Sequence, residues 1–149
     1  MPDENIQKLF YKNYLAMIEN SIGTNMFRNL FVRFKDTGIE KDVMEDGVKS
    51  CAFFVSSILC INGLIKKPHA VVDSVVKDME ENGWVKTDNP KQGDVLIWEE
   101  KDGFTHNGFW WSETEAISNS FEDKHPIKHD LTYGGTRKII AMYTKEFTE

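Results

Sequence analysis

The hydrophobic pattern of this chain changes its period partway along, and that change constrains the fold more than any other feature. Up to Gly83 the apolar residues recur at helical spacing, whereas from Pro90 onward they form short extended runs separated by turn residues. Short strands joined by short turns predict an antiparallel sheet. Helices followed by a strand meander predict an α+β fold in which helices pack against one sheet.

Three helices are predicted in the first part of the chain, over residues 4–20, 51–62 and 69–82. The middle segment is apolar on nearly every side, which is typical of a helix buried at the centre of a domain. Ser50 is its predicted N-cap, and Gly63 lies just beyond its predicted end. This central helix would carry both cysteines of the chain.

The strands are predicted mainly in the second part of the chain. Residues 26–34 fit a helix or a buried strand, residues 36–38 indicate a turn, and residues 39–44 follow it. We favour a hairpin over the segment 26–44. The strands predicted for the meander are 94–98, 104–111, 115–119 and 138–143. We see no repeat, linker or domain boundary, so the 149 residues are expected to form one domain.

The charge of the chain restricts its partners. The net charge is −6 and no run of Lys or Arg exceeds two residues, so the basic face that a nucleic-acid binder needs is absent from the sequence.

No basic segment followed by an apolar run opens the chain, and no apolar stretch approaches the roughly 20 residues that span a bilayer. We expect a cytoplasmic monomer without a membrane span. A phage-type lysis enzyme released without its own signal would look the same.

The two cysteines, Cys51 and Cys60, are predicted to have different roles. Nine helical residues separate them by roughly 13 Å and turn them to opposite sides, so they should not form a disulfide. Cys51 opens the helix, where free N–H groups and the helix dipole lower a thiol pKa and can stabilise an oxyanion. Cys51 is therefore the candidate nucleophile, and Cys60 is most simply a small buried hydrophobic residue.

His106 is the candidate base for that thiol. It lies in the middle of a predicted strand, and Gly108 lies on the same strand face because side chains alternate along a strand. A glycine at that position would leave open space beside the imidazole, as a substrate channel needs. We therefore include Gly108, with Ser50 beside the nucleophile, among the candidate substrate-binding residues.

A third polar group usually orients the imidazole, and the next strand offers Ser118 and Asn119. If Trp111 pairs with Ala116, Asn119 lies on the face of His106. A register shifted by one residue places Ser118 there instead, because one slip exchanges the two faces. The sequence leaves both residues as candidates.

The remaining histidines and the tryptophans are interpreted more simply. Pro126 separates His125 from His129, and neither has a Cys or carboxylate at structural zinc spacing, so both are expected at the surface or the rim of the cleft. His69 is expected at a helix start. Trp110 and its neighbour Trp111 point to opposite faces, so at most one lines the cleft, and Trp110 is the candidate.

Three segments together resemble the NlpC-type peptidases, a papain-like family of amidases that cut peptidoglycan peptides. Residues 50–55 (SCAFFV) are similar to the family's Asp-Cys-Ser-Gly-Phe-Val helix start. Residues 90–98 (PKQGDVLIW) resemble its Pro-x-x-Gly-Asp-Leu strand. Residues 106–119, with HNGFWW followed by AISN, resemble its His-Val-Gly-Ile-Tyr strand and the next strand with its polar third residue.

The resemblance covers roughly residues 48–143 and implies a papain-like α+β fold with Cys51 as nucleophile and His106 as base. It implies a peptide or peptidoglycan fragment as substrate and no metal or organic cofactor. Residues 1–45 lie outside it and are interpreted as an N-terminal elaboration. The chain departs from the family at Ser50, at residues 52–53 and at Ser118, which stand where Asp, Ser-Gly and often His are found.

Two other functions are compatible with the same residues. A cytosolic deamidase, thioesterase or acyltransferase would use the same Cys-His pair on a different acyl group. A non-catalytic binding module would retain the fold with a thiol of ordinary pKa.

Overall fold

The computed structural model describes residues 4–148 and has helices packed against an antiparallel sheet. Its helices are α1 (Phe10–Asn20), α2 (Cys51–Ile61) and α3 (Val72–Glu81). Its strands are β1 (Phe31–Arg33), β2 (Glu40–Asp42), β3 (Val85–Lys86), β4 (Val95–Lys101), β5 (Phe104–Trp110), β6 (Glu115–Asn119), β7 (Pro126–Asp130) and β8 (Ile139–Thr144). The α+β class predicted from the change of period is confirmed.

The main sheet has the strand order β3-β8-β4-β5-β6-β7, and each neighbouring pair is antiparallel. The strands β1 and β2 form a separate antiparallel hairpin, which confirms the interpretation of segment 26–44. The sequence missed β3, which has two residues, and β7, which begins at Pro126 and completes one edge of the sheet.

The first helix is shorter than predicted, since it begins at Phe10 and not at residue 4. Ile6 and Leu9 satisfy the helical spacing, but both side chains stay about half exposed. Neither side chain packs against the core, and a helical turn without such packing gains little stability from helix propensity alone.

Helix α2 is the centre of the fold. Its buried side chains include Phe54, Val55, Ile58 and Leu59, as expected of a helix that is apolar on every side. The Phe54 ring meets Phe109 of β5 edge to face at 5.5 Å. No helix within residues 4–148 has the length and apolar character that crossing a membrane requires.

The two faces of the main sheet bury different side chains. The face toward the helices carries Ile97, Phe109 and Ile117 in the main core. The other face carries a smaller cluster built on Leu96 and Trp98, covered by the segment 131–139. This second cluster supports the candidate functional residues on β5 and β6.

The buried carboxylate of Asp78 holds the segment between α2 and α3. It accepts hydrogen bonds from the backbone N–H groups of Lys66 (3.0 Å) and Lys67 (3.3 Å), and His69 Nε2 lies 2.7 Å from it. Burial acts to raise the pKa of Asp78, but these donors outweigh it, and the pKa lies below its ordinary value. His69 is therefore held against α3 by a hydrogen bond to Asp78 and lies in the preceding loop rather than at a helix start.

We expect Asp78→Asn to lower the free energy of unfolding by about 2 kcal/mol, because the amide cannot accept all the bonds that the carboxylate accepts. The Asp78 pKa is depressed, so its contribution to stability is present at neutral pH and is lost as the pH falls through the folded-state value. Urea unfolding at pH 7 and at pH 2, well below the ordinary carboxyl pKa, measures both effects. Asp73→Asn, on the exposed face of the same helix, is the matched control and should change stability much less. Equal losses for the two variants would contradict this role of Asp78.

Candidate active site

Cys51 is the first residue of α2 and lines a cavity of about 710 Å³. His106 of β5 and Arg137, just before β8, line the same cavity. Both cysteines are free, which confirms that Cys51 and Cys60 are not bridged. The cavity thus contains a thiol, an imidazole and a guanidinium, and each comes from a different part of the chain.

A tight turn before α2 places the thiol. Glu45, Asp46 and Gly47 have φ angles of 49°, 57° and 94°, so three consecutive residues adopt the left-handed conformation. Asn119 Nδ2 donates a hydrogen bond of 2.8 Å to the Gly47 carbonyl and ties this turn to the end of β6. A side chain at Gly47 would also clash with the Lys124 carbonyl at 2.5 Å, so only glycine fits there.

The thiol pKa moves in the direction opposite to the one the sequence predicted. Burial raises the pKa of Cys51, and this effect exceeds the opposing ones from the N–H groups of Asn107 and Ala52 and from the Arg137 charge. The helix start does favour the thiolate, as expected, but burial of the sulfur disfavours it more. Cys51 is therefore a neutral thiol at pH 7.

His106 is also neutral. Burial, together with the positive charge of Arg137, lowers the pKa of His106 to about 3. Its ring packs on Trp98 with centroids 5.0 Å apart. A neutral imidazole can accept a proton, so the resting pair is a thiol and a free base rather than a thiolate and an imidazolium.

The sheet register selects Ser118 rather than Asn119 as the neighbour of His106. Trp110, and not Trp111, pairs with Ala116, so the register is the one-residue slip that the sequence left open. His106 Nε2 lies 3.1 Å from Ser118 Oγ. Asn119, proposed as the alternative catalytic residue, holds the Gly47 turn instead.

The hydrogen bonds around Ser118 define the tautomer of His106. His129 Nδ1 lies 2.7 Å from the Asp130 carbonyl, which can only accept, so Nδ1 carries the proton. Burial lowers the pKa of His129, so at pH 7 its Nε2 is an acceptor, and it receives the Ser118 hydroxyl proton over 2.6 Å. The Ser118 oxygen then accepts from His106 Nε2–H. His106 Nδ1 is left with its lone pair.

Tyr133 completes this network. Its hydroxyl lies 2.8 Å from His106 Nε2 and 2.8 Å from Ser118 Oγ, so it can accept from the first and donate to the second. Burial raises the pKa of Tyr133 to about 12, which keeps the hydroxyl protonated. Tyr133 has a left-handed φ of 53°, in a turn where the Asp130 carboxylate accepts a 2.7 Å bond from Gly134 N–H.

Gly108 does not provide the open space that was predicted. A Cβ at this position would lie 2.7 Å from Ser118 Cβ and 2.9 Å from the Trp98 ring. Its role is to let the strand carrying Ser118 approach closely, which brings the hydroxyl to His106. Gly108 therefore acts in positioning the network and lies outside the cavity lining.

The other two predicted substrate-binding residues also lie outside the cavity lining. Ser50 is fully buried, and among residues 4–148 its hydroxyl has no hydrogen-bond partner, so it is not a side-chain cap. Trp110 packs against the Leu96 and Trp98 cluster on the sheet. Trp111 lies in the main core, as expected for the neighbour facing the other way.

The sequence also missed three functional candidates. His129 was expected at the surface or the rim of the cleft, but its Nε2 contacts the Ser118 hydroxyl. Its position on a strand could have indicated this contact, but Pro126 at the start of that strand argued against a regular element. Tyr133 and Arg137 come from an irregular segment that has no hydrophobic period, so no sequence pattern pointed to them. His125 behaves more simply, since its Nδ1 donates to the Pro126 carbonyl at 2.9 Å.

Within residues 4–148 no three His, Cys, Asp or Glu side chains are grouped so that they could hold a metal ion. No protein-family model matches the chain, and neither does any curated protein sequence. The geometry of the cavity is therefore the basis for any assignment of function.

Alkylation of Cys51 by iodoacetamide should show an apparent pKa above the ordinary thiol value, because the cavity disfavours the thiolate. Arg137→Gln should raise it further, since the guanidinium charge opposes that effect. The measurement is the rate of modification against pH, with the site identified by peptide mass spectrometry and Cys51→Ser as the control for reaction at Cys60. Rapid modification of Cys51 at pH 6 would indicate a preformed thiolate and contradict the neutral pair.

The tautomer of His106 can be observed directly. Long-range proton–nitrogen NMR correlations at pH 7 should show a neutral ring protonated at Nε2. Ser118→Ala should produce a mixture of tautomers, because the Tyr133 hydroxyl then loses Ser118 as its acceptor and can donate to His106 Nε2 as well as accept from it. Asn119→Ala should not change the tautomer. A ring protonated at Nδ1 in the unmodified protein would overturn the assigned network.

Proposed function

We propose that this protein is a cysteine hydrolase of the papain-like, NlpC type that cleaves an amide bond through an acyl-enzyme. The observation that supports this most is the pairing, in one cavity, of a thiol at the start of a buried helix with an imidazole whose Nδ1 is unprotonated. The α+β layering and the order of Cys51, His106 and Ser118 along the chain agree with it.

In the first step His106 acts as the general base. Substrate binding brings a carbonyl carbon to Cys51 Sγ, the thiol proton moves to His106 Nδ1, and the sulfur forms a bond to that carbon. The imidazolium then carries protons on both nitrogens. Ser118 Oγ accepts from the Nε2–H throughout, so the ring keeps its orientation while its charge changes.

The oxyanion that forms needs hydrogen-bond donors, and backbone amides lie beside the sulfur. The N–H groups of Ala52 and Asn107 favour a negative charge at Cys51 Sγ. The first of them belongs to the initial turn of α2, where the helix dipole adds to the effect. The Arg137 guanidinium supplies a full positive charge in the same cavity. These groups would stabilise the tetrahedral intermediate.

Collapse of that intermediate breaks the bond between carbon and nitrogen. His106 Nδ1–H gives its proton to the departing amine, which leaves a thioester on Cys51. His106 then removes a proton from a water molecule, whose oxygen attacks the thioester. The carboxylic acid leaves, and the proton returns to the thiolate, so the enzyme is regenerated.

The resemblance to the NlpC-type family suggests a peptide of peptidoglycan as substrate. The lining of the cavity favours a second candidate, a thioesterase or acyltransferase that uses the same pair. Apolar side chains from β1, from the start of α3 and from β5 surround the thiol, and such a surface suits an acyl chain better than a sugar.

Cys51→Ala should lower turnover by roughly 10⁴-fold or more, because no other group at that position can form the acyl-enzyme. Release of new amino groups from peptidoglycan fragments and from simple N-acyl amides measures it. Cys60→Ala is the matched control, since Cys60 lies near the other end of the same helix, and it should keep full activity. Circular dichroism should show both variants folded. Undiminished activity of folded Cys51→Ala would rule out the mechanism.

A further inference from the structure

The cavity extends beyond the reacting pair, and most of that extension is apolar. One wall comes from the β1–β2 hairpin and the segment after it, with Leu30, Val32, Val43 and Val48. This hairpin belongs to the N-terminal segment that the family resemblance does not cover. Residues 1–45 therefore supply part of a wall next to Cys51.

The cavity lining also exposes side chains that a folded domain would normally bury. Val71, Phe104 and Phe121 all line the cavity, and their exposed fractions are 58%, 56% and 70%. Three large apolar groups that are more than half exposed around one concave site indicate a binding surface for an apolar ligand. A volume of about 710 Å³ suits a small molecule.

The same cavity contains a cation that has no acidic partner within residues 4–148. Arg137 Nε donates to the Glu99 carbonyl (3.0 Å), and Nη2 donates to the Phe104 carbonyl (2.7 Å). Two neutral carbonyls hold the guanidinium rigidly but leave its charge uncompensated. Lys49 also lines the cavity, but its charge is compensated by Glu45 at 3.0 Å. Lys101 lines it together with the single carboxylate of Asp102, so Arg137 is the cation that remains uncompensated. On a chain of net charge −6, this local excess of positive charge attracts an anion.

We propose that the substrate of this site is an N-acyl amino acid, with its acyl chain between the hairpin and Phe104, its amide at Cys51, and its carboxylate on Arg137. The inference rests on the proposed amidase function and adds the substrate class. In this arrangement the acyl chain contacts the apolar walls, the amide lies at the thiol and the base, and the carboxylate contacts the guanidinium.

The reaction conserves atoms and needs no further reactant except water. The sulfur of Cys51 bonds to the acyl carbon as the bond between that carbon and the amide nitrogen breaks. The amino acid leaves after its nitrogen takes the proton that His106 held. Water then cleaves the thioester, and the products are a free fatty acid and a free amino acid.

The test is a matched set of substrates incubated with the full chain. N-acyl glycines from acetyl to dodecanoyl vary only the length of the acyl chain, and the corresponding glycinamides remove the carboxylate charge. We expect kcat/KM to rise by roughly fourfold per methylene until the cavity is full. The carboxylates should exceed their amides by roughly tenfold or more.

Two variants and one control variant separate the parts of the inference. Val71→Asp should flatten the dependence on chain length, whereas Val85→Asp, equally exposed on β3 and outside the cavity, should leave it unchanged. Arg137→Gln should remove the preference for carboxylate over amide. Because this variant also affects the thiol, the informative quantity is the ratio between the two substrates and not the absolute rate.

The outcomes are distinct. Hydrolysis of acetyl and dodecanoyl substrates at equal rates, or of peptidoglycan fragments alone, would overturn the substrate class while leaving the amidase function intact. Failure to cleave any amide, peptidoglycan fragments included, would overturn the proposed function and this inference with it. If a preference for long acyl chains persisted in Val71→Asp, the acyl chain would bind outside this part of the cavity, and that result would also contradict the inference.

Discussion

The contact between His106 Nε2 and Ser118 Oγ is the interaction on which the rest of the site depends. It forms because Gly108 has no side chain, so β6 approaches β5 closely enough to bring the hydroxyl within 3.1 Å of the ring. His129 on β7 orients the Ser118 hydroxyl, and the Trp98 ring packs against the His106 imidazole. A base of defined tautomer therefore results from the packing of three adjacent strands, and only one side of the imidazole remains for the thiol.

The burial that fixes this base also sets the charge state of the pair. Burial in a mostly apolar cavity penalises both the thiolate and the imidazolium, so the neutral forms are favoured even though α2 starts at the thiol. In the proposed mechanism the thiol proton moves to His106 as the substrate carbonyl reaches the sulfur. A neutral thiol is a poor nucleophile, so we expect Cys51 to react slowly with solutes that do not bind in the cavity.

Those parts of the structure that depend on local periodicity could be predicted from the sequence. The extent of α2, the hairpin in segment 26–44 and the strands β4, β5, β6 and β8 follow from spacing and turn residues. So do the positions of Cys51 at the start of α2 and of His106 on β5. The register of β5 and β6 does not, because a shift of one residue fits the same pattern and exchanges Ser118 with Asn119. Tyr133 and Arg137 act through tertiary contacts from an irregular segment, and the upward shift of the Cys51 pKa depends on a cavity that forms only when distant segments meet.

The proposed mechanism requires that Cys51 react as a neutral thiol whose proton His106 removes during attack. The most direct measurement is the rate at which p-nitrophenyl acetate acylates Cys51 in a single turnover, compared in H₂O and in D₂O, with the acetylated residue located by mass spectrometry. Proton transfer in the transition state predicts slower acylation in D₂O, and His106→Ala should abolish that difference. Equal rates in the two solvents would show a preformed thiolate, and the absence of acylation at Cys51 would contradict the catalytic assignment altogether.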